Sequence, residues 1–437
     1  MKSIALGLGS NQGDRPGHLR LAIAELEQRG FANIRCSPVV ESAAWLKPGA
    51  PAAWNLPFLN LVIEAQTALS ANEALQICQQ IEVKSGRGPH ESWAPRTLDI
   101  DLLSWGEETI TEIDLQIPHS GIAQRPFVLD PWVHLSGSKL IPGLAPSTLL
   151  QTRRQLPSAR PILMAILNLT PDSFSDGGVF FDDDAKVPRR TSDRLAQLLK
   201  RPPAILDLGG QSTRPQAVVV SAEEEWRRLE RALAFLQEFH QDRVRPWISI
   251  DTFRPEVARR ALDWGVEMIN DVSGLENPQM RELAAGSKKH FIFMHHLGVP
   301  VIPGQTLPVN CDPVGEVLRW AQARLELFAQ AGISFDRLIF DPGIGFGKTP
   351  QQSRELIRRA AEFQVLPVRV LYGHSRKSYQ QSIDPSPVAD RDAITLIHSL
   401  HLARSGVEII RIHDYEAHAS ALLAEEFNFA KGAAGEL

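Results

Sequence analysis

At 437 residues the chain is longer than one ordinary hydrophobic core serves, so two domains are expected. A formal net charge of −5 argues against nucleic acid as a partner, because binding a phosphate backbone calls for a basic surface. No apolar run reaches the roughly 18 residues of a membrane span, and three scattered cysteines suit a reducing cytoplasm better than a disulfide framework or zinc finger. The N-terminus passes from a short apolar strand straight into Gly9-Ser10-Asn11, without a cleavable apolar leader. The expectation is a cytoplasmic enzyme that meets neither nucleic acid nor membrane.

In chain order, the most telling stretch of the first half is PRTLDIDL at 95–102. Leu98 to Leu103 reads as a strand in which Leu98, Ile100 and Leu102 alternate with Asp99 and Asp101. Period-2 geometry aims both aspartates the same way, roughly 7 Å apart. Paired acids of this kind suit Mg²⁺ carrying a nucleotide's phosphates, and Arg96 adds a guanidinium suited to phosphate. The alternative is a solvated strand face with ordinary surface acids; the neighbours decide.

Those neighbours are LGLGSN at 6–11, ESWAPRTLDIDLL at 91–103 and IPHSGIAQRPF at 117–127. Together they resemble hydroxymethyldihydropterin pyrophosphokinase over residues 1–155. The resemblance implies a ferredoxin-like α+β domain that moves pyrophosphate from ATP to 6-hydroxymethyl-7,8-dihydropterin. By matching positions it implies two Mg²⁺ ions on Asp99 and Asp101, an ATP side of Glu82, Arg87, Arg96, His119 and Arg125, and catalytic roles for Arg87 and Arg96. Phe58, Asn60 and Phe127 would hold the pterin, since a flat ring suits aromatic faces with one amide at its edge. One departure stands out: the family places a second arginine after Arg87, where this chain has Gly88-Pro89-His90-Glu91-Ser92-Trp93.

The seam falls at 143–160, ending in Arg153–Pro161, which reads as a polar, proline-bounded linker. Beyond it, short apolar runs recur near 162–167, 204–208, 247–250, 266–270, 290–294, 337–341, 367–372 and 408–412. Amphipathic stretches such as Ala222–Phe239, Val314–Ala331 and Ser353–Phe363 lie between them. This alternation over 161–437 predicts a (β/α)₈ TIM barrel, with a doubly wound open sheet as the alternative. Asn168, Asp207, Asp251, Asn270, His295, Asp341, Arg411 and His413 fall at strand ends, where such barrels place their chemistry.

The same half carries LNLTPDSFSDGG (167–178), DLGGQSTRP (207–215), FDPGIGFGK (340–348), HSRKS (374–378) and IIRIHD (409–414). In that order they resemble dihydropteroate synthase, which joins the pterin pyrophosphate to p-aminobenzoate and releases pyrophosphate. The resemblance implies one Mg²⁺ at Asn168 and pyrophosphate contacts from Asn168, Arg214, Arg411 and His413. It implies pterin contacts from Asp251, Asn270, Asp341 and Lys377, with Asp207 supporting Asn270 or the pocket floor. The p-aminobenzoate side would be Thr213, Pro215, Phe346, Lys377 and Ser378, with Lys377 and Arg411 catalytic. Loops Thr170–Gly178 and Ser212–Gln216 would close over the site, and barrels of this type dimerise through outer helices, here His398–Ala403 with Ser420–Phe427. Gln211, His296-Leu297 and His374 depart from the family's usual residues. Gly343 to Thr349 imitates a P-loop, but Pro342 stands where the first glycine is needed, and His295-His296 lacks zinc-site spacing. Two further readings stay open: a chain with one silent half, and a pterin-binding regulatory protein without turnover.

Overall fold

A computed structural model describes residues 1–47, 49–88, 93–144, 146–157, 159–170, 189–211, 220–239, 243–387 and 391–433. Its contacts form two compact units. The first takes Met1–Arg160, the short stretch ending at Arg245 and the chain end from Ala419; the second takes the remainder between Pro161 and His418.

Unit 1 contains β1 (Lys2–Ser10), α1 (Arg15–Gln28), β2 (Phe31–Cys36), β3 (Val40–Ser42), β4 (Phe58–Thr67), α2 (Ala71–Lys84) and β5 (Asp99–Trp105). A two-stranded hairpin, β6 (Ile110–Thr111) and β7 (Gln116–Ile117), precedes α3 (Pro126–Ser136) and α4 (Leu149–Arg154). The main strands pair antiparallel in the order β2-β4-β1-β5, with β3 on β4, which is the order of a ferredoxin-like βαββαβ sheet. Period-2 alternation sorts the residues by face. Ile4, Leu6 and Leu8 of β1, Leu61 and Ile63 of β4, and Ile100 and Leu102 of β5 pack on Leu19, Ile23 and Leu26 of α1 and on Cys78 and Ile81 of α2. Gly7, Gly9, Asn60, Asp99 and Asp101 occupy the alternate positions, and all of them line a cavity. A capping box between Ser70 and Glu73 starts α2 and satisfies two of its end groups.

The expected polar linker is corrected. Arg153 and Arg160 are buried, Arg153 Nε donates to Asp130 Oδ1 at 2.8 Å, and the Arg160 amide donates to Asp130 Oδ2 at 3.0 Å. A buried carboxylate needs such partners, so this segment closes the core of unit 1.

Unit 2 is the expected barrel. Its strands are β8 (Ile162–Asn168), β9 (Ile205–Gly209), β10 (Trp247–Asp251), β11 (Met268–Asp271), β12 (His290–Met294), β13 (Leu338–Asp341), β14 (Arg369–Tyr372) and β15 (Ile409–Ile412). They pair parallel in chain order and close with β15 on β8. Between them run α5 (Arg189–Lys200), α6 (Ala222–Phe239), α7 (Pro255–Trp264), α8 (Pro278–Gly286), α9 (Pro313–Gln330), α10 (Pro350–Arg358) and α11 (Asp392–Arg404), and α12 (Tyr415–Ala433) follows. The strands are buried nearly throughout, as helix-covered parallel strands must be. One predicted helix shifts: the Thr349–Gln352 capping box starts α10 before Ser353, and the helix stops at Arg358, with a 3₁₀ segment covering Ala360–Val365.

The end of α12 makes a contact within unit 1. From Ala419 the chain groups with unit 1, and Glu426 Oε2 accepts the Ala43 amide at 2.9 Å. Within the expected dimer segments, Glu426 is thus engaged in its own chain and Ser399, Leu402 and Ala403 are buried, while Leu400 and His401 are half-buried and Ser420 is exposed. Among the described residues, no helix is long and apolar enough to cross a membrane.

Candidate active sites

In unit 1, register puts Gly9 opposite Asp99 and Gly7 opposite Asp101. Glycine leaves the space over the two carboxylates open. A Cβ at Gly9 would stand 3.2 Å from Asn60 Oδ1 and 3.5 Å from the Phe58 ring, so a side chain there would crowd the Asn60 amide. The cavity measures about 440 Å³, and Phe58, Asn60, Arg87, Arg96, Asp99, Asp101, Arg125 and Phe127 all line it. Arg87 and Arg96 each reach Asp99 Oδ1 at 3.0 Å, while Arg125 reaches Asp101 Oδ2 at 3.0 Å. Burial and the neighbouring Asp99 push the Asp101 carboxyl above its ordinary range, against the pull of His119, Arg125 and Arg96.

Glu82 and His119 take supporting places around this cavity. Glu82 is buried on α2, accepts the Ile100 amide at 2.8 Å between the two aspartates, and pairs with Arg87. Burial pushes its carboxyl up to about 7 despite these partners. His119 Nδ1 accepts the Gly121 amide at 3.0 Å and its Nε2 lies 3.8 Å from Asp101; burial lowers its pKa. Three residues escaped sequence reasoning. Asn11 Oδ1 takes the Arg96 amide at 2.8 Å, Ser42 Oγ takes the Asn60 amide group at 2.8 Å, and Trp45 meets the Phe127 ring edge-on at 6.1 Å. Asn11 stood in the quoted opening motif; Ser42 and Trp45 carried no local signal. Pro89–Ser92, where the family's second arginine is missing, lie outside the described residues.

In unit 2, one guanidinium ties three strands together at the barrel mouth. Arg411 donates from Nε to Asp207 Oδ2 at 2.6 Å and from Nη2 to Asp251 Oδ2 at 2.7 Å, and Asn270 Nδ2 also reaches Asp207 Oδ2 at 3.3 Å. Burial pushes Asp251 up to about 7 against the pull of Arg411. Burial likewise raises Asp341, whose Oδ1 accepts the Gly343 amide at 2.7 Å. Gly343 has φ +69°, and a Cβ there would meet the His295 carbonyl oxygen at 1.9 Å. Asn168 pairs with Gly209 across β8 and β9, and its Oδ1 lies over that glycine.

Lys377 Nζ stands 4.4 Å above the Phe346 ring, and Ser378 opens the 3₁₀ turn that follows. His413 Nδ1 meets Ser375 Oγ at 3.0 Å. Lys348 of the P-loop look-alike is buried: its Nζ contacts His295 Nδ1 at 2.8 Å and the Phe346 carbonyl at 2.9 Å. Burial lowers Lys348 to about 7. It braces the glycine turn that presents Phe346, a role its sequence neighbours did not announce. Thr213, Arg214, Pro215, most of Thr170–Gly178 and the Ser212–Gln216 loop lie outside the described residues.

Residues 5–137 match the family 7,8-dihydro-6-hydroxymethylpterin-pyrophosphokinase, and residues 164–413 match the family of pterin binding enzymes. A folate synthesis bifunctional protein of Chlamydia muridarum is 36% identical over 442 residues, spanning 96% of this chain and 97% of that relative. The chain belongs to the bifunctional folate synthesis proteins. A mitochondrial folate synthesis bifunctional protein of Arabidopsis thaliana is 32% identical, spanning 96% of this chain and 81% of its own length. Among solved structures, Xanthomonas albilineans dihydropteroate synthase with 4-aminobenzoic acid aligns at 34% identity and TM-score 0.55, over 62% of this chain and 94% of that one. Anaplasma phagocytophilum dihydropteroate synthase with bound 6-hydroxymethylpterin-monophosphate aligns at 29% identity and TM-score 0.54, over 62% of this chain and 100% of that one. As a bifunctional folate synthesis protein, the chain carries a pyrophosphokinase in unit 1 and a dihydropteroate synthase in the barrel.

Proposed function

We propose that unit 1 transfers pyrophosphate from ATP to the hydroxyl of 6-hydroxymethyl-7,8-dihydropterin with Asp99 and Asp101 as ligands of two Mg²⁺ ions. The observation that carries this assignment is their shared face on β5, open to a cavity with Arg87, Arg96 and Arg125 around it. Two carboxylates on alternate residues of one strand, one of them pushed toward protonation by burial and then by the other, form a donor set suited to hard divalent cations. Such cations neutralise phosphate charge during transfer. Without nucleotide the three arginines rest on the aspartates; with nucleotide they turn their donors to its phosphates. Glu82 holds β5 and Arg87 in register, and His119 borders the ATP side. Asn60, fixed by Ser42, reads the pterin edge, with Phe58 and Phe127 offering apolar faces.

In the barrel, the carbon–oxygen bond to pyrophosphate breaks, the p-aminobenzoate nitrogen bonds to that carbon, and the amine loses a proton. Arg411, His413 and Arg214 stabilise the departing anion, with one Mg²⁺ at Asn168. Asp251, Asn270, Asp341 and Lys377 bind the pterin, and Phe346, Lys377, Ser378, Thr213 and Pro215 bind p-aminobenzoate. The convergence of Asp207, Asp251, Asn270 and Arg411 supports this placement, as does the ligand named for the Xanthomonas relative. The full chain supplied with ATP, Mg²⁺, hydroxymethyldihydropterin and p-aminobenzoate is expected to release AMP and form dihydropteroate. A sulfonamide, mimicking p-aminobenzoate, is expected to compete with it for dihydropteroate formation while AMP release continues. AMP without dihydropteroate would show a silent synthase, dihydropteroate formed only when pterin pyrophosphate is supplied directly would show a silent kinase, and binding without turnover of either substrate would show a regulator.

The proposed compartment is the cytoplasm, in keeping with three free cysteines, and cell fractionation tests it. The proposed assembly is a homodimer through the barrel's outer helices, where Ile397 of α11 is exposed. Light scattering at twice the chain mass would support it, and a single chain mass would exclude it.

A further inference from the structure

We infer that Glu426, in the last helix of the chain, is a positioning residue of the pyrophosphokinase site, holding the loop after β3 that walls the cavity. The inference rests on the kinase reading of unit 1. Ala43 lines the cavity and is buried, and it lies one residue past the β3 ladder. Its amide therefore needs an acceptor from elsewhere, because a buried N–H left unpaired is costly. Glu426 Oε2 supplies that acceptor at 2.9 Å, across a sequence separation of 383 residues.

The residues on either side of Ala43 show what the contact controls. Ser42 holds the Asn60 amide group at 2.8 Å, and Trp45 meets Phe127 at 6.1 Å. All four line the cavity, on the side assigned here to the pterin rather than to phosphate. Burial pushes the Glu426 carboxyl up to about 7; the Ala43 amide and Arg160 pull it down, while Asp130 and Glu41 push it further up. The other wall also rests on a carboxylate, here the buried Asp130 of α3, which anchors Arg153 and the Arg160 amide, and the first turn of α3 carries Phe127 and Val128. Unit 1 supplies Asp130 from within Met1–Arg160, but Glu426 only from the chain end beyond Ala419.

The test uses the full chain and three readouts. In Glu426→Ala, the KM for hydroxymethyldihydropterin is expected to rise about tenfold, the size of effect that follows from losing an acceptor for a buried amide. The KM for ATP and the synthase rate on supplied pterin pyrophosphate should hold steady, because Glu426 acts in this reading only on the pterin wall of unit 1. Glu426→Gln, whose amide oxygen still accepts from Ala43, should restore the pterin KM. Hydrogen–deuterium exchange over residues 40–47 should quicken in Glu426→Ala alone. An unchanged pterin KM, a parallel fall of kinase and synthase, or a glutamine variant as impaired as alanine would each overturn the assignment. A wild-type chain that releases no AMP would instead overturn the kinase reading, leaving the exchange measurement to judge the contact.

Discussion

Asp99→Ala and Asp101→Ala are each expected to lower ATP-dependent pyrophosphoryl transfer by about a thousandfold, with synthase turnover on supplied pterin pyrophosphate nearly intact. Both carboxylates lie on one face of β5 beside Gly7 and Gly9, and under the proposed assignment removing either would take away a ligand for a charge-neutralising cation. The two variants should differ in detail. Asp99→Ala releases Arg87 and Arg96 together, although Glu82 still holds Arg87 and Asn11 still holds the Arg96 backbone. Asp101→Ala releases Arg125 and leaves those two in place. Loss of ATP affinity should therefore be larger for Asp99→Ala, which leaves two arginines unplaced before the nucleotide arrives. Measuring AMP formation and dihydropteroate formation separately checks this, and near-wild-type kinase rates in both variants would remove the metal assignment. Excess Mg²⁺ should not rescue either variant, because the missing group is a ligand rather than a weakened one.

The sequence exposed most of this site because strand alternation is local. Asp99 and Asp101 share a face for the same reason that Ile100 and Leu102 share the other, and the structure keeps that parity. Barrel strand ends were legible in the same way: each strand's last polar residue marks the mouth, and Asp207, Asp251 and Arg411 do meet there. What escaped depends on distant partners. Glu82 carries no mark distinguishing a nucleotide contact from a buried brace, and only the fold shows it accepting the Ile100 amide. The Arg153–Arg160 segment is polar enough to read as a linker, yet its charges are buried on Asp130, which lies more than a helix away. Glu426 is the extreme case, because no window of sequence connects it with Ala43. Lys348 misleads differently: its glycine neighbours suggest phosphate, but the ammonium is enclosed by His295 and the Phe346 carbonyl.

Replacing Arg411 by methionine should abolish synthase activity, spare the kinase, and destabilise the barrel in a pH-dependent way. Arg411 is the shared partner of Asp207 and Asp251 at 2.6 and 2.7 Å, so its loss leaves two buried carboxylates facing each other, a change worth about 3–5 kcal/mol. The sign of the pH effect follows from Asp251, which burial pushes up to about 7 in the folded chain even with Arg411 present. An unfolded aspartate titrates near about 4, so between these values the folded state holds the proton more tightly than the unfolded one. Stability from this group is therefore full below the unfolded value and is lost as pH rises through the folded one. Without the guanidinium, Asp251 moves higher still, and that window widens upward. The difference in Tm of the barrel transition between wild type and Arg411→Met should thus be smallest near about pH 5, where Asp251 keeps its proton, and largest near about pH 8. A Tm difference that stays flat across this range would mean that Arg411 holds the mouth by packing rather than by neutralising the aspartates. In that case lysine at the same position, with charge but no fork to span β9 and β10, should fail as completely as methionine; if charge is the cause, lysine should recover part of the lost stability at pH 8 while leaving condensation slow.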